Sequence, residues 1–366
     1  MTTDISARKP GGWRRALRWL KRILLGLLAL LLLAVLVGAI YEAIGRRNAE
    51  AEYPPRGKMV DVGGRKMHID CRGTGSPTVI LESGLGTGGV ADWTLVHDKI
   101  AGFARVCAYD RAGIMWSDPK DTPQHAATIA DDLHTLLKGA GIDDRLVLVG
   151  HSIGGPYVSA YTARYGDKVD GLVMVDISHP DQVARLGRVV GADVHPRQVS
   201  TMMHAATALA WTGIVRLALA NSGHEKLPAD ARAQIDAYGS RSVAGVASEL
   251  DGFDATMDDA RAVRSFGNRP LILLTAMKPF NASELERLGV KAKDGARFKQ
   301  EWKAMHAELA ALSPRGRQQI VADAGHYIHV ERPELVIAAV REAVDAARAD
   351  RGKIRAGISD ARAGDR

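Results

Sequence analysis

Residues 145–155 read Arg145-Leu-Val-Leu-Val-Gly-His-Ser-Ile-Gly-Gly155. Leu146 to Val149 form a short apolar run, as a buried strand does. The run enters Gly150-His151-Ser152-Ile153-Gly154, and a helical pattern follows over 153–165. In a Gly-x-Ser-x-Gly turn between strand and helix, the serine sits on a strained bend and its hydroxyl projects past the end of the sheet. Glycine flanks it because a side chain there meets the neighbouring strand and helix. The Ile153 amide, at the head of the helix, lies where charge on a carbonyl oxygen develops. Ser152 is therefore the candidate nucleophile.

Outward from this turn, strands and helices alternate. Upstream, 59–62 and 66–71, split by Gly63-Gly64, read as a hairpin. Strand 78–81 leads into the glycine-rich loop Ser83-Gly-Leu-Gly-Thr-Gly-Gly89, a helix is expected over 93–101, and strand 105–109 ends at Asp110-Arg111-Ala112-Gly113. Residues 125–139 have helical spacing, with Ile129, Leu133, Leu136 and Leu137 on one face. Downstream strands are expected at 171–176, 271–275 and 319–321, with a final helix over 333–347 opened by Pro333. Such alternation implies parallel crossovers and an α/β, doubly wound, mostly parallel sheet. Almost a hundred residues separate strands 171–176 and 271–275. Apolar periodicity near 199–220, 229–248 and 252–266 makes that interval a helical cap. The domain reading is a core over 58–177 and 268–348, a cap over 178–267, and a polar, disordered tail over 349–366.

The net charge of +7 misleads, because residues 1–50 carry +6 and 349–366 carry +2, which leaves the body at −1. A near-neutral body without a basic aromatic groove gives no case for nucleic-acid binding. Ile23 to Ile40 is an uncharged run of 18 residues, extended by Tyr41. As a helix it spans roughly 27–30 Å, enough to cross a bilayer core. Residues 1–22 form a basic flank (Arg8, Lys9, Arg14, Arg15, Arg18, Lys21, Arg22), whereas the far flank is mixed. This places the N-terminus in the cytoplasm, the span over 23–41, a linker over 42–57 and the body outside the cytoplasm, periplasmic or at the cell surface. A cleaved signal peptide competes, since Val37-Gly-Ala39 resembles a cleavage site. Cys71 and Cys107, the two cysteines, fall in strand-like segments and are read either as a disulfide or as two small buried hydrophobes.

A serine needs a base to attack near neutral pH. His326, in Val321-Ala-Asp-Ala-Gly-His326, stands just after the last expected strand and is the candidate base; His329 is read as structural. The base needs an orienting carboxylate. Asp176, at the end of strand 171–176, is preferred, because parallel strands place their C-terminal ends on one edge. Glu284 and Asp181 are the alternatives. The backbone amides of Leu85 and Ile153 are the candidate oxyanion donors. Gly84-Leu-Gly86 lacks the remaining glycine of a dinucleotide loop and the Lys-Ser/Thr ending of a phosphate loop.

Leu81-Glu-Ser-Gly-Leu-Gly86, Tyr109-Asp-Arg-Ala-Gly113, Gly150-His-Ser-Ile-Gly-Gly155 and Gly325-His-Tyr-Ile-His329 together resemble the α/β-hydrolase fold family over about residues 58–348. The resemblance implies an eight-stranded sheet with a cap, Ser152 and His326 as nucleophile and base, and no cofactor. The chain departs from the pattern at Ser83, where many members carry His, and in the empty acid position after the seventh strand. Haloalkane dehalogenases place their acid after the sixth strand, which supports Asp176; their aspartate nucleophile separates them from a chain with Ser152. The resulting expectation is a membrane-anchored serine hydrolase acting on a small-molecule or lipid-like carboxylic ester. The rivals are a cofactor-free haloperoxidase or acyltransferase, and a non-catalytic binding module on the same scaffold.

Overall fold

Four consecutive side chains of the strand before Ser152 divide between two cores. Leu146 and Leu148 enter one apolar cluster, with Ile80, Leu133, Tyr157 and Leu172. Val147 and Val149 enter the other, with Val79, Leu81, Val173 and Val340. The period of two sends alternate residues to opposite faces, and both faces are covered, so the strand is apolar throughout.

The computed structural model describes residues 11–220 and 226–364. Its strands are β1 (Lys58–Asp61), β2 (Lys66–Arg72), β3 (Thr78–Glu82), β4 (Val106–Tyr109), β5 (Leu146–His151), β6 (Val169–Val175), β7 (Leu271–Ala276) and β8 (Gly316–Val321). They form one eight-stranded sheet in the order β1-β2-β4-β3-β5-β6-β7-β8. β1 and β2 pair antiparallel, as do β2 and β4, and every other pairing is parallel. Cys71 stands opposite Cys107 in the β2–β4 register, and the two are joined by a disulfide.

The helix α1 (Gly11–Glu52) precedes the sheet. α2 (His97–Ala101), α3 (Ala126–Gly139) and α4 (Gly154–Tyr165) connect the strands up to β6. α2 is shorter than expected because a separate 3-10 turn, Gly89–Trp93, takes up the start of that stretch. Between β6 and β7 come α5 (Gln182–Val190), α6 (Arg197–Leu209), α7 (Ile214–Leu219), α8 (Ala229–Asp251) and α9 (Phe253–Ala262). α10 (Ala282–Leu288) and α11 (Gly295–Ala310) separate β7 from β8, and α12 (Ile328–Glu331) and α13 (Pro333–Gly364) close the chain.

Helices run across two of the boundaries read from the sequence. Residues 42–57 are not simply a linker, because α1 runs on to Glu52 and its last turns dock on the cap. Glu42 is buried and accepts hydrogen bonds from Arg216 Nε (2.8 Å) and Ser240 Oγ (2.7 Å). A Cβ on Gly38 would overlap the Thr212 carbonyl, and one on Gly45 would lie 2.6 Å from Arg216 Nε. Ala49 is buried, and its carbonyl accepts from Tyr238 Oη at 3.3 Å. Positions 38, 42, 45 and 49 share one helix face, and small residues there let α1 approach the cap closely. Nor does the backbone over 349–366 break at residue 349: α13 continues to Gly364, with Asp350 paired to Arg315 at 2.5 Å. Alanine, arginine and lysine, good helix formers, dominate that stretch. The end of that expected tail, 365–366, lies outside the described residues, as does the start of the basic flank, 1–10.

Candidate active site

Strand register brings the distant side chains together. In the parallel β5–β6 ladder His151 stands beside Val175, so the next residues, Ser152 and Asp176, leave the sheet on the same edge. β7 and β8 pair Ala276 with Val321, and the loop after Val321 carries His326 to that edge. Ser152 (φ 54°) and Asp176 (φ 44°) both lie in the left-handed region, strained for any residue but glycine.

Ser152 Oγ lies 2.9 Å from His326 Nε2, and Asp176 Oδ2 lies 2.7 Å from His326 Nδ1. The arrangement suits the tautomer in which Nδ1–H donates to the carboxylate and Nε2 accepts from the serine hydroxyl. Glu284 does not join this chain; its carboxylate accepts from the Asn281 amide in the capping box of α10. Asp181 pairs with Arg261 instead.

Asp176 is fully enclosed. Burial alone would push its carboxyl up, but the hydrogen bond and charge of His326, with His306 and the Ala276 amide, hold it below the usual carboxylate range. Its Oδ1 accepts from the Ala276 amide and from the Trp302 indole, each at 2.9 Å. His306, one helical turn past Trp302 on α11, donates from Nε2 to the Ile177 carbonyl at 2.8 Å, and Thr275 Oγ1 lies 2.8 Å from its Nδ1. Burial pushes the His306 pKa down, and its two hydrogen bonds hold the ring against the end of β7. Trp302 and His306 had no sequence motif to mark them. The available signal was polar and aromatic residues on the α11 face that packs on β7.

Two more histidines, His151 and His329, are buried beside His326. His151 Nε2 donates to the His326 carbonyl at 3.0 Å, and burial drives its pKa well below the ordinary value. His329 packs against Trp93 at 4.8 Å between ring centroids, and burial lowers its pKa to about 3.

The loop after β3 rests on the serine turn. A Cβ on Gly84 would lie 3.1 Å from Ser152 Cβ, and one on Gly154 would lie 2.8 Å from the Ser83 carbonyl. Leu85 follows directly on this loop, and Ile153 follows Ser152 on the other side of the contact. Arg111 fixes this loop from below. Its guanidinium pairs with Glu82 (2.6 Å) and Glu249 (2.7 Å) and donates to the Ser83 and Gly84 carbonyls, both at 2.8 Å. Burial opposes the Arg111 charge, but Glu249 and Glu82 hold its pKa well above the usual value. Arg111→Met is expected to destabilise the protein by about 3–5 kcal/mol, because two buried carboxylates lose their counter-ion. The fall in thermal midpoint of the detergent-solubilised full chain, against wild type, measures it; a shift near zero would remove Arg111 from this role.

A cavity of about 700 Å³ opens on the imidazole side of the site. Asp176, His326, Lys299, Phe280, Trp302 and Asp92 are in its wall, and Ser152 is not among the lining residues. Burial pushes the Asp92 carboxyl up to about 7. Burial also lowers the Lys299 pKa; its ammonium donates to the Ala276 carbonyl at 3.1 Å and sits 4.3 Å from the Phe280 ring centroid.

Known proteins share this architecture. A family model described as alpha/beta hydrolase fold matches residues 77–210. The uncharacterized protein YbdG of Bacillus subtilis (strain 168) is 26% identical over 164 residues, 44% of this chain and 50% of that protein. The esterase YbfF of Escherichia coli (strain K12) is 22% identical over 231 residues, 61% of this chain and 76% of that protein. A solved thermophilic esterase from Thermogutta terrifontis superposes with a TM-score of 0.55 at 21% identity, over 80% of this chain and 98% of that one. The chain spans between 14% and 50% of the length of the first curated relatives it matches. Sheet order, the strained serine turn and the family match agree: the chain has the alpha/beta hydrolase fold.

Proposed function

We propose that the protein is a serine hydrolase that cleaves a carboxylic ester-type acyl bond while anchored in a membrane by α1. The observation that carries this reading is the unbroken hydrogen-bond chain from Ser152 through His326 to Asp176. Ser152 Oγ attacks the acyl carbon as its proton passes to His326 Nε2. Asp176 stabilises the imidazolium through Nδ1–H. The Leu85 and Ile153 amides receive the oxyanion. His326 then protonates the leaving alkoxide, and a water molecule deprotonated by the same imidazole releases the acid.

The anchor reading draws on α1, which is long and apolar enough to cross a bilayer and whose apolar window is 0% buried. The basic residues before the apolar run favour a cytoplasmic N-terminus, and the Cys71–Cys107 disulfide suits a body in an oxidising compartment. The test is to treat the detergent-solubilised full chain with a fluorophosphonate and then assay esters of graded acyl length. We expect one phosphonylated peptide, containing Ser152, and ester turnover that labelling abolishes. A folded protein that resists the probe and hydrolyses no ester would instead be a binding module.

A further inference from the structure

Among the described residues outside α1, nine large apolar side chains are exposed, and six of them fall between 199 and 217: Val199, Met202, Leu209, Trp211, Ile214 and Leu217. Leu217 is 63% exposed and Met202 57%. These are not the residues that build the cap core. Met203 and Ala206 pack toward Ala210, Val215 and Val243, and leave the six outside. A soluble surface seldom gathers large apolar side chains in this way.

Their position relative to α1 bears on what covers them. The turn between α6 and α7 touches α1 at Gly38, where Thr212 and Gly213 press on the helix backbone. Gly38 lies inside the uncharged run that ends at Ile40. The first charge beyond that run, Glu42, is paired with Arg216 at 2.8 Å. From Gly38 to Glu42 the helix rises about 6 Å, so 209–217 stands level with the last turn of the apolar run. No aspartate or glutamate occurs between 197 and 219, so no carboxylate there opposes entry into lipid. Trp211, at the tip of the turn, suits the headgroup boundary.

We propose that the α6–α7 corner of the cap is seated in the lipid bilayer beside α1, with its apolar face among the acyl chains. The proposal rests on the reading of α1 as a membrane span. The protein then has two membrane elements, a spanning helix and an interfacial corner, locked together by the Glu42–Arg216–Ser240 cluster.

The native cysteines are joined, so a new cysteine is a unique labelling site. The full-length variants Ile214→Cys, Leu31→Cys and Glu342→Cys, each carrying an environment-sensitive fluorophore, are reconstituted in phosphatidylcholine–phosphatidylglycerol vesicles. The vesicles are made with or without acyl chains brominated close to the headgroup. We expect emission from position 214 to be blue-shifted and to fall about twofold with brominated lipid, while position 342 stays unchanged. Position 31 reports the anchor separately, by a blue shift that position 342 lacks. A blue-shifted position 31 with position 214 behaving like 342 would leave the anchor standing and overturn the seated corner. Blue-shifted but unquenched emission at 214 would mean that protein, such as a second copy of the chain, covers the face, and would also overturn it. If neither 31 nor 214 responds, anchor and corner fall together. Ile214 is 55% exposed, so its replacement spares the packed core.

Discussion

Ser152→Ala is expected to lower kcat toward a cleaved ester by about 10⁶-fold, close to 8 kcal/mol of lost transition-state stabilisation. The size follows from what the hydroxyl does alone. Among the described residues, Ser152 supplies the one hydroxyl that His326 Nε2 contacts. Without it no acyl-enzyme forms, and water must attack unaided. The Leu85 and Ile153 amides remain, so a residue of about 10³–10⁴-fold over water should persist. Single-turnover and steady-state assays of wild type and variant measure both effects. A variant keeping more than about 1% of wild-type turnover would remove Ser152 from the nucleophile role, since loss of a nucleophile costs far more than a hundredfold. Because the hydroxyl is partly exposed at the sheet edge, the thermal midpoint should barely move.

Asp176→Asn is expected to cost about 10⁴-fold in kcat, near 5.5 kcal/mol, with little change in fold. The amide keeps the shape of the carboxylate but can present an N–H to His326 Nδ1. That favours the tautomer with the proton on Nε2, which can no longer accept from Ser152. The imidazolium formed in the reaction also loses its counter-charge. Glu284→Gln is the control, because that side chain closes a capping box and takes no part in the hydrogen-bond chain. It should cost at most about 0.5–1 kcal/mol of helix stability and leave kcat near wild type. If Glu284→Gln lost the larger share of turnover, the assignment of Asp176 would be wrong. The carboxyl of Asp176 titrates below its ordinary value of 3.8. Its contribution to stability is therefore complete above that value and is lost as pH falls through the depressed one.

Sequence reading succeeded where a local pattern suffices. Four apolar residues before Gly150 dictate a strand buried on both faces, and a carboxylate ending the next strand must share its edge. That is why Ser152, Asp176 and His326, far apart in the chain, are expected at one edge, where the structure brings them within hydrogen-bond distance. It failed where function depends on packing between segments. Trp302 and His306 reach Asp176 because α11 lies against β7, more than a hundred residues from Asp176, and nothing in their own neighbourhood announces it. Residues 42–57 read as a linker between the apolar run and the body. Their structure is set by Arg216 and Tyr238, which approach α1 from the cap. The exposed face over 199–217 shows the same limit, since periodicity marks apolar residues without saying what will cover them.

Arg111 also constrains how substrate can enter. One guanidinium clasps the end of β3, the backbone of the loop above it and Glu249 on the longest cap helix. Swinging that helix outward as a gate would take Glu249 from the Arg111 guanidinium and leave buried polar groups without partners. Breathing motions are therefore expected to pivot elsewhere, and the short helix α10 borders the cavity through Glu284 and Leu288, with no comparable clasp among its described side chains.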